Sequence, residues 1–201
     1  MRTNYVLIDY ENVQPATLNA LEKEHFKVIV FVGATQTKIN FDIATSLQRL
    51  GANASYVKIS SNGSNALDFH IAFYIGQIAA TDPSAYFHII SKDTGFDPLI
   101  AHLKTKKIFA NRSSNINDIP LVKASNCHTL PEKLEIVVAN LRQRGTSKPR
   151  TVTTLSSTIS SIFQKALSEE EIAEILKELD DKKIITITET KVAYSLPEQK
   201  G

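Results

Sequence analysis

The sequence is poor in cysteine and has no long apolar run. Its single cysteine, Cys127, excludes an internal disulfide and a cysteine-rich zinc site, and it indicates a reducing compartment. No apolar stretch approaches the roughly 20 residues needed to span a bilayer. The apolar run that ends at Asp9 is too short and too acidic for a signal peptide. We therefore expect a cytoplasmic protein that does not enter a membrane.

The sequence also has little net charge. The formal charge of the 201 residues is +2, too close to neutral to predict a polyanionic partner by itself. The charge is unevenly spread, however. Residues 1–149 carry 16 Lys and Arg against 12 Asp and Glu, whereas residues 150–201 carry 7 against 9. Any attraction to a phosphate backbone should therefore act mainly through the first part of the chain.

Several nucleotide-binding and phosphatase signatures are missing. No G-x-G-x-x-G motif follows the first apolar run, which argues against a Rossmann dehydrogenase, and nothing resembles a P-loop. A haloacid-dehalogenase-type phosphatase would need a second aspartate two residues after Asp9, where this chain has Glu11.

Short apolar runs alternate with segments of helical periodicity. The runs predict strands buried on both faces, and they lie at Tyr5–Ile8, Val28–Val32, Tyr56–Ile59, Phe87–Ile90 and Ile108–Ala110. Apolar residues spaced three or four apart predict helices after Pro15, before Gly51, from Leu67 to Ile78, around Leu99–Leu103 and from Leu134 to Leu141. We therefore predict an α/β fold, a three-layer sandwich around a mainly parallel sheet.

A second, smaller module is predicted behind this domain. Residues 146–152 are polar and basic with a proline, which is typical of a linker. Residues 153–197 then show two helical stripes and an alternating hairpin pattern, and Ser168 with Glu171 predicts a capping box. We predict a first domain over 1–145 and a small winged-helix-like module over 153–197.

Acidic residues close the predicted strands. Asp9 ends the first strand, Asp93 follows the fourth, and Asp68 lies in the first turn of a helix behind a loop rich in glycine and serine. Ligand sites of parallel sheets lie beyond the carboxyl ends of the strands. Strands one and four are expected to be neighbours, so these acids should converge. Clustered carboxylates repel one another unless a cation compensates, and hard oxygen ligands suit Mg²⁺ or Mn²⁺.

Three segments together resemble the NYN branch of the PIN-like nucleases. Residues 9–12 (Asp-Tyr-Glu-Asn) resemble its D-x-x-N motif, and residues 62–68 resemble the glycine-containing loop that leads to a helix-borne aspartate. Residues 91–99 resemble its S-x-D-x-D-F-x-P-L segment. The resemblance covers roughly residues 4–125. It implies a PIN-like, Rossmann-related domain that hydrolyses RNA phosphodiester bonds as an endonuclease, with metal ligation by Asp9, Asp68 and Asp93.

The resemblance also carries one departure. Where the family motif has the second aspartate of its D-x-D pair, this chain has Gly95. Asp97 is a candidate fourth metal ligand in its place, or an N-cap before Pro98. Substrate contacts are expected from Asn12, which could instead hold Asp9, and from Ser64, Lys92 and Thr94.

Two interpretations of function stay open at this stage. The chain is either a metal-dependent ribonuclease or an RNA-binding regulatory module that has lost turnover, as Gly95 would favour. A basic cluster either guides RNA or is a solvated face; its residues are Lys104, Lys106, Lys107 and Arg112. The acid-rich helix Glu169–Asp181 argues against duplex binding by the second module, so a homodimer contact or a protein partner is expected there.

Overall fold

The computed structural model describes residues 2–22, 25–60, 63, 65–127, 129–163 and 165–196. The chain divides into two compact units, Met1–Ile119 and Pro120–Gly201. No helix in these described ranges combines the length and the apolar composition that a bilayer crossing requires.

The first unit is built on a five-stranded sheet in which every pair of neighbouring strands is parallel. Its strands are β1 (Asn4–Asp9), β2 (Phe26–Val32), β3 (Ala54–Lys58), β4 (Tyr86–Ile90) and β5 (Phe109–Ser113). The five predicted strands are confirmed, with ends that differ by a few residues.

The strand order is β3-β2-β1-β4-β5, so the order reverses next to β1. Ile8 on β1 pairs with Ile90 on β4, and the chain leaves both strands at the same edge of the sheet. A reversal of this kind opens a crevice at the carboxyl ends of the two strands. The predicted neighbourhood of the first and fourth strands is therefore confirmed.

Helices cover the sheet because its strands are apolar on both faces. Alternate residues point to opposite faces; Leu7 belongs to one core cluster, and Val6 and Ile8 are equally buried. The helices of this unit are α1 (Phe41–Leu50), α2 (Ala66–Thr81) and α3 (Phe96–Thr105). Together with the sheet they confirm the predicted layered α/β class.

The helix predicted after Pro15 is wrong. Among the described residues of that segment, only a short 3-10 helix forms, at Asn19–Leu21. Leu18 and Leu21 are fully buried as the pattern required, but the backbone N–H of Leu18 donates to Ser46 Oγ on α1 at 3.4 Å. The Ser46 hydroxyl therefore accepts the hydrogen bond that the Leu18 N–H would have donated to a backbone carbonyl in a helix.

The second unit begins earlier than predicted. Its elements are α4 (Pro120–Ser125), α5 (Leu130–Gln143), α6 (Val152–Ile162), α7 (Glu169–Asp181), β6 (Ile185–Thr188) and β7 (Lys191–Tyr194). The division at 119/120 differs from the predicted boundary at 145. The physical reason is that Leu134, Val137 and Leu141 of α5 belong to the same core cluster as Leu155 of α6 and Leu179 of α7.

The second unit contains the helix cap and the hairpin that its sequence predicts. Ser168 Oγ accepts from the backbone N–H of Glu171 at 3.2 Å, and a Glu171 carboxylate oxygen accepts from the backbone N–H of Ser168 at 2.9 Å. The predicted capping box and the antiparallel hairpin β6–β7 are therefore confirmed. Part of the expected linker is not free, because the carbonyl oxygen of Arg150 accepts from the N–H of Val192 at 3.0 Å. Residue 197, the predicted end of the module, lies outside the described residues.

Candidate active site

Asp9 lies at the carboxyl end of β1 and is 2% exposed. The chain turns sharply after it, since the backbone N–H groups of Asn12 and Val13 both donate to the carbonyl oxygen of Asp9. This turn carries the Asn12 side chain back to the carboxylate. Asn12 Nδ2 donates to Asp9 Oδ2 at 3.0 Å, and the Asn12 backbone N–H donates to Oδ1 at 3.2 Å. The orientation of the buried carboxylate is thereby fixed from its own strand end.

Ser91 connects Asp9 to the loop behind β4. It is fully buried, and its hydroxyl donates to Asp9 Oδ2 at 2.8 Å. Ser91 Oγ in turn accepts from the backbone N–H of Asp93 at 3.1 Å. One hydroxyl thus joins two of the predicted site residues across neighbouring strands. Sequence reasoning gave Ser91 no role, although a small hydroxyl residue directly behind an apolar strand was the available signal.

Asp68 lies in the first turn of α2, as predicted. The helix is anchored in the core by Leu67, Ile71 and Ile75. The pKa of Asp68 is raised from 3.8 to about 6, first by burial and then by the negative charges of Asp9, Asp93 and Glu11. Asp9 and Asp93 therefore act on Asp68 electrostatically, because a nearby like charge disfavours ionisation.

The loop after β4 holds Asp93 in a tight turn. The backbone N–H of Gly95 donates to Asp93 Oδ1 at 2.7 Å. A Cβ atom at position 95 would lie 3.1 Å from that oxygen, so a side chain there would crowd the carboxylate. Lys92 and Thr94 are exposed on either side of Asp93, where a substrate could reach them. Ser64, the other expected substrate contact, lies outside the described residues.

Asp97 is not brought into this group. Its two carboxylate oxygens accept from Arg112, at 2.8 Å from Nε and 3.1 Å from Nη2. The hydrogen bonds and charge of Arg112 lower the pKa of Asp97. The alternative N-cap role does not apply either, because α3 begins at Phe96 and Gly95 is its N-cap. The expected fourth metal ligand is therefore engaged in an ion pair with β5.

Glu11 is a further acid at this edge of the sheet, two residues after Asp9. It is exposed, but its side chain lies directly against Gly33 behind β2: a Cβ added at position 33 would fall 1.7 Å from Glu11 Oε1. Its negative charge contributes to the raised pKa of Asp68. The signal in the sequence was a glycine at the end of a strand, which permits such a close approach.

The donor chemistry of the site suits a hard divalent cation, because carboxylate oxygens are the ligands such ions prefer. Among the described residues, no ion pair with Lys or Arg involves Asp9, Glu11, Asp68 or Asp93. In the same ranges, however, no three acidic, histidine or cysteine side chains approach closely enough to form a ready metal cage. The fit therefore rests on donor type and charge.

An α/β sheet with carboxylates at its strand reversal defines a class of domain that binds ligands at that crevice. A family model described as PIN domain matches residues 3–113, which is more than half of the chain. The chain belongs to the PIN-domain family, whose members are generally metal-dependent nucleases. Neither the search of curated proteins nor that of solved structures found a match.

Proposed function

We propose that this PIN-domain chain is a Mg²⁺- or Mn²⁺-dependent ribonuclease of the NYN type that cleaves RNA internally. The observation that carries the proposal is the gathering of three aspartates at one strand reversal: Ser91 Oγ joins Asp9 to the Asp93 backbone, and burial with the charges of Asp9 and Asp93 raises the pKa of Asp68 to about 6. Carboxylates held together at a raised pKa are characteristic of functional sites. A divalent cation would relieve the repulsion that the three groups impose on one another.

Asp9, Asp68 and Asp93 would hold the ion. When bound, a divalent cation supplies an activated water and stabilises negative charge on a phosphoryl group. Asn12 and Ser91 orient the carboxylate of Asp9 through hydrogen bonds of 3.0 and 2.8 Å, so its remaining lone pairs point in a defined direction. Asp97 is left out of the proposed ligand set because Arg112 occupies both of its oxygens.

RNA contacts are proposed at exposed residues around these acids. Lys92 and Thr94 flank Asp93 and are open to solvent. Asn12 donates to Asp9 and is assigned first to that carboxylate rather than to a phosphate. Of the basic cluster, Lys104, Lys106 and Lys107 are exposed and remain candidates for guiding the RNA backbone.

The test compares the chain with its Asp9→Asn and Asp93→Asn variants on end-labelled linear RNA and on circular RNA. We expect Mn²⁺- or Mg²⁺-dependent products, lost in EDTA, and at least about 100-fold slower cleavage in each variant. Cleavage of the circle would establish internal cutting. Asp82→Asn is the matched control: it changes the same residue type at the other end of α2, where Asp82 accepts hydrogen bonds from Ser84. Full activity in the Asp9/Asp93 double variant would refute the proposed site.

The second candidate function is an RNA-binding module without turnover. Gly95 in place of an acid and the pairing of Asp97 with Arg112 favour it, because they leave only three of the proposed aspartates. Its signature would be RNA affinity that is equal in EDTA and in Mn²⁺, with no products at high protein concentration. The two candidates thus predict opposite responses to metal removal.

For the second unit we keep the winged-helix-like assignment as a proposal. Two helices, α6 and α7, followed by the hairpin β6–β7 support it. The acids of α7 favour a protein partner or a second copy of the chain over a nucleic-acid duplex. A cytoplasmic location is also part of the proposal, because a single cysteine suits a reducing compartment. Light scattering of the full chain would test the homodimer.

A further inference from the structure

Arg112 on β5 joins three segments at the carboxyl edge of the sheet. Its Nε and Nη2 atoms donate to the two oxygens of Asp97 in the first turn of α3. Its Nη1 atom donates to the carbonyl oxygen of Ser91, directly behind β4, at 3.3 Å. The Arg112 side chain is 20% exposed, so solvent reaches only a small part of it. One planar group therefore spans the gap between β5, the end of β4 and the start of α3.

The two anchor points of Arg112 enclose the loop that carries Asp93. Contacts within residues 91–97 set the local turn: Ser91 Oγ accepts from the N–H of Asp93, and the carbonyl oxygen of Thr94 accepts from the N–H of Asp97 at 2.9 Å. Ser91 Oγ also donates to Asp9 on β1, which ties the start of the loop to the sheet. A second connection comes from β5, since the carbonyl oxygen of Ser113 accepts from the N–H of Ser91 and Arg112 holds both ends of the loop.

The geometry of the ion pair requires arginine. Two parallel N–H donors facing two carboxylate oxygens fix both the distance and the orientation of the partner, which a lysine ammonium does not. A third donor of the same guanidinium is directed at a backbone carbonyl, so each of its three nitrogen atoms makes a hydrogen bond within the protein. An arginine bound in this way is poorly available for an RNA phosphate.

We propose that Arg112 is a positioning residue that, through Asp97 and the Ser91 carbonyl, holds the loop presenting Asp93 to the proposed metal centre. The inference rests on the proposed function, and it assigns Asp97 to anchoring α3 rather than to metal ligation. Arg112 acts on the reaction only through Asp93 and Ser91. Loss of the ion pair should therefore change the order of the loop and the affinity for the cation before it changes RNA binding.

The test uses the full chain and the variants Arg112→Met, Asp97→Asn, the double variant and Arg112→Lys. Hydrogen exchange of peptides covering residues 91–97 reports the order of the loop, and calorimetric Mn²⁺ titration reports the cation site. Arg49→Met is the matched control, since Arg49 makes an ion pair with Glu22 at 3.4 Å in the same unit. Michaelis constants for RNA are measured in parallel.

We expect faster exchange in residues 91–97 and about 10-fold weaker Mn²⁺ binding in both single variants, as for loss of a group that orients a ligand. The double variant should be no worse than Arg112→Met alone, because removal of Arg112 already breaks its contact with Asp97. Arg112→Lys should fall in between, and it keeps the proposal testable if Arg112→Met fails to fold. Arg49→Met should leave both readouts unchanged.

Two results would overturn the proposal. Unchanged exchange in residues 91–97 on loss of Arg112 would show that the loop holds itself. A raised Michaelis constant for RNA with unchanged Mn²⁺ affinity would make Arg112 an RNA contact instead. If the wild-type chain neither binds Mn²⁺ nor cleaves RNA, the proposed function fails separately, and the exchange measurement still decides whether Arg112 holds the loop.

Discussion

The pKa of Asp68 leads to a quantitative prediction for metal binding. Burial and the charges of Asp9, Asp93 and Glu11 raise this pKa to about 6, so the group is about half protonated at pH 6 without metal. A cation binds the ionised form, and its binding must displace the proton. The ionised fraction falls from about nine-tenths at pH 7 to about one-tenth at pH 5. We therefore expect the apparent Mn²⁺ affinity to fall about 10-fold over this interval.

Calorimetry in two buffers of different protonation enthalpy measures both the affinity and the protons released. About half a proton should be released per ion at pH 6 and almost none at pH 8. The Asp68→Asn variant is the control, because its affinity should be lower throughout but lose this pH dependence. A wild-type affinity that stays constant from pH 5 to 7, with no proton release at pH 6, would refute the reasoning.

The same pKa sets the sign of the pH effect on stability in EDTA. The folded chain holds a proton on Asp68 up to about pH 6, whereas the unfolded chain loses it near 3.8. Between these values the folded state binds more protons, so stability from this group falls as the pH rises through the window. Asp68→Asn should therefore reduce the fall in melting temperature between pH 4 and 7. Because the side chain is only partly buried and solvent screens its charge, the expected change is small.

Two further predictions concern packing. Gly33→Ala would place a Cβ atom 1.7 Å from Glu11 Oε1 and so displace Glu11. The pH midpoint of Mn²⁺ binding should then move to lower pH, because the Glu11 charge that helps to raise the Asp68 pKa has been displaced. Glu11→Gln, which removes that charge, should have the same effect. A midpoint that does not move in either variant would contradict this prediction. Leu155→Ala, at a fully buried position in the second unit, should lower the free energy of unfolding by about 2–5 kcal/mol in urea denaturation. A loss below about 1 kcal/mol would mean that the site collapses around the smaller residue.

Features written in local sequence were predictable. Apolar runs bounded by turn residues marked the five strands, and the acids behind the first and fourth strands marked the candidate site. The neighbourhood of Asp9 and Asp93 followed from strand order, since parallel crossovers leave few arrangements. The sequence could also suggest that Asn12 holds Asp9, because three residues separate them and a turn brings them together.

Features that depend on long-range register were not predictable. The pairing of Asp97 with Arg112 requires that β5 lie beside β4 with Ile89 opposite Arg112, which no local pattern encodes. The place of α5 was misjudged for a similar reason: an amphipathic helix has the same periodicity whichever core it joins, and its partners in the cluster lie on α6 and α7. The hydrogen bond from Ser91 to Asp9 was not predicted, because a serine after a strand is common and does not by itself indicate a role.

The charge balance at the strand reversal links these findings. Asp9, Glu11, Asp68 and Asp93 contribute to one electrostatic environment. The nearby arginine is committed elsewhere, since both oxygens of Asp97 bind it and Asp93 affects it only as a second, weaker charge. Because Arg112 is paired with Asp97, its positive charge does not neutralise the other acids of the site. Because the remaining acids gain no Lys or Arg ion pair in the described part of the chain, an exogenous cation is the compensation that the arrangement favours.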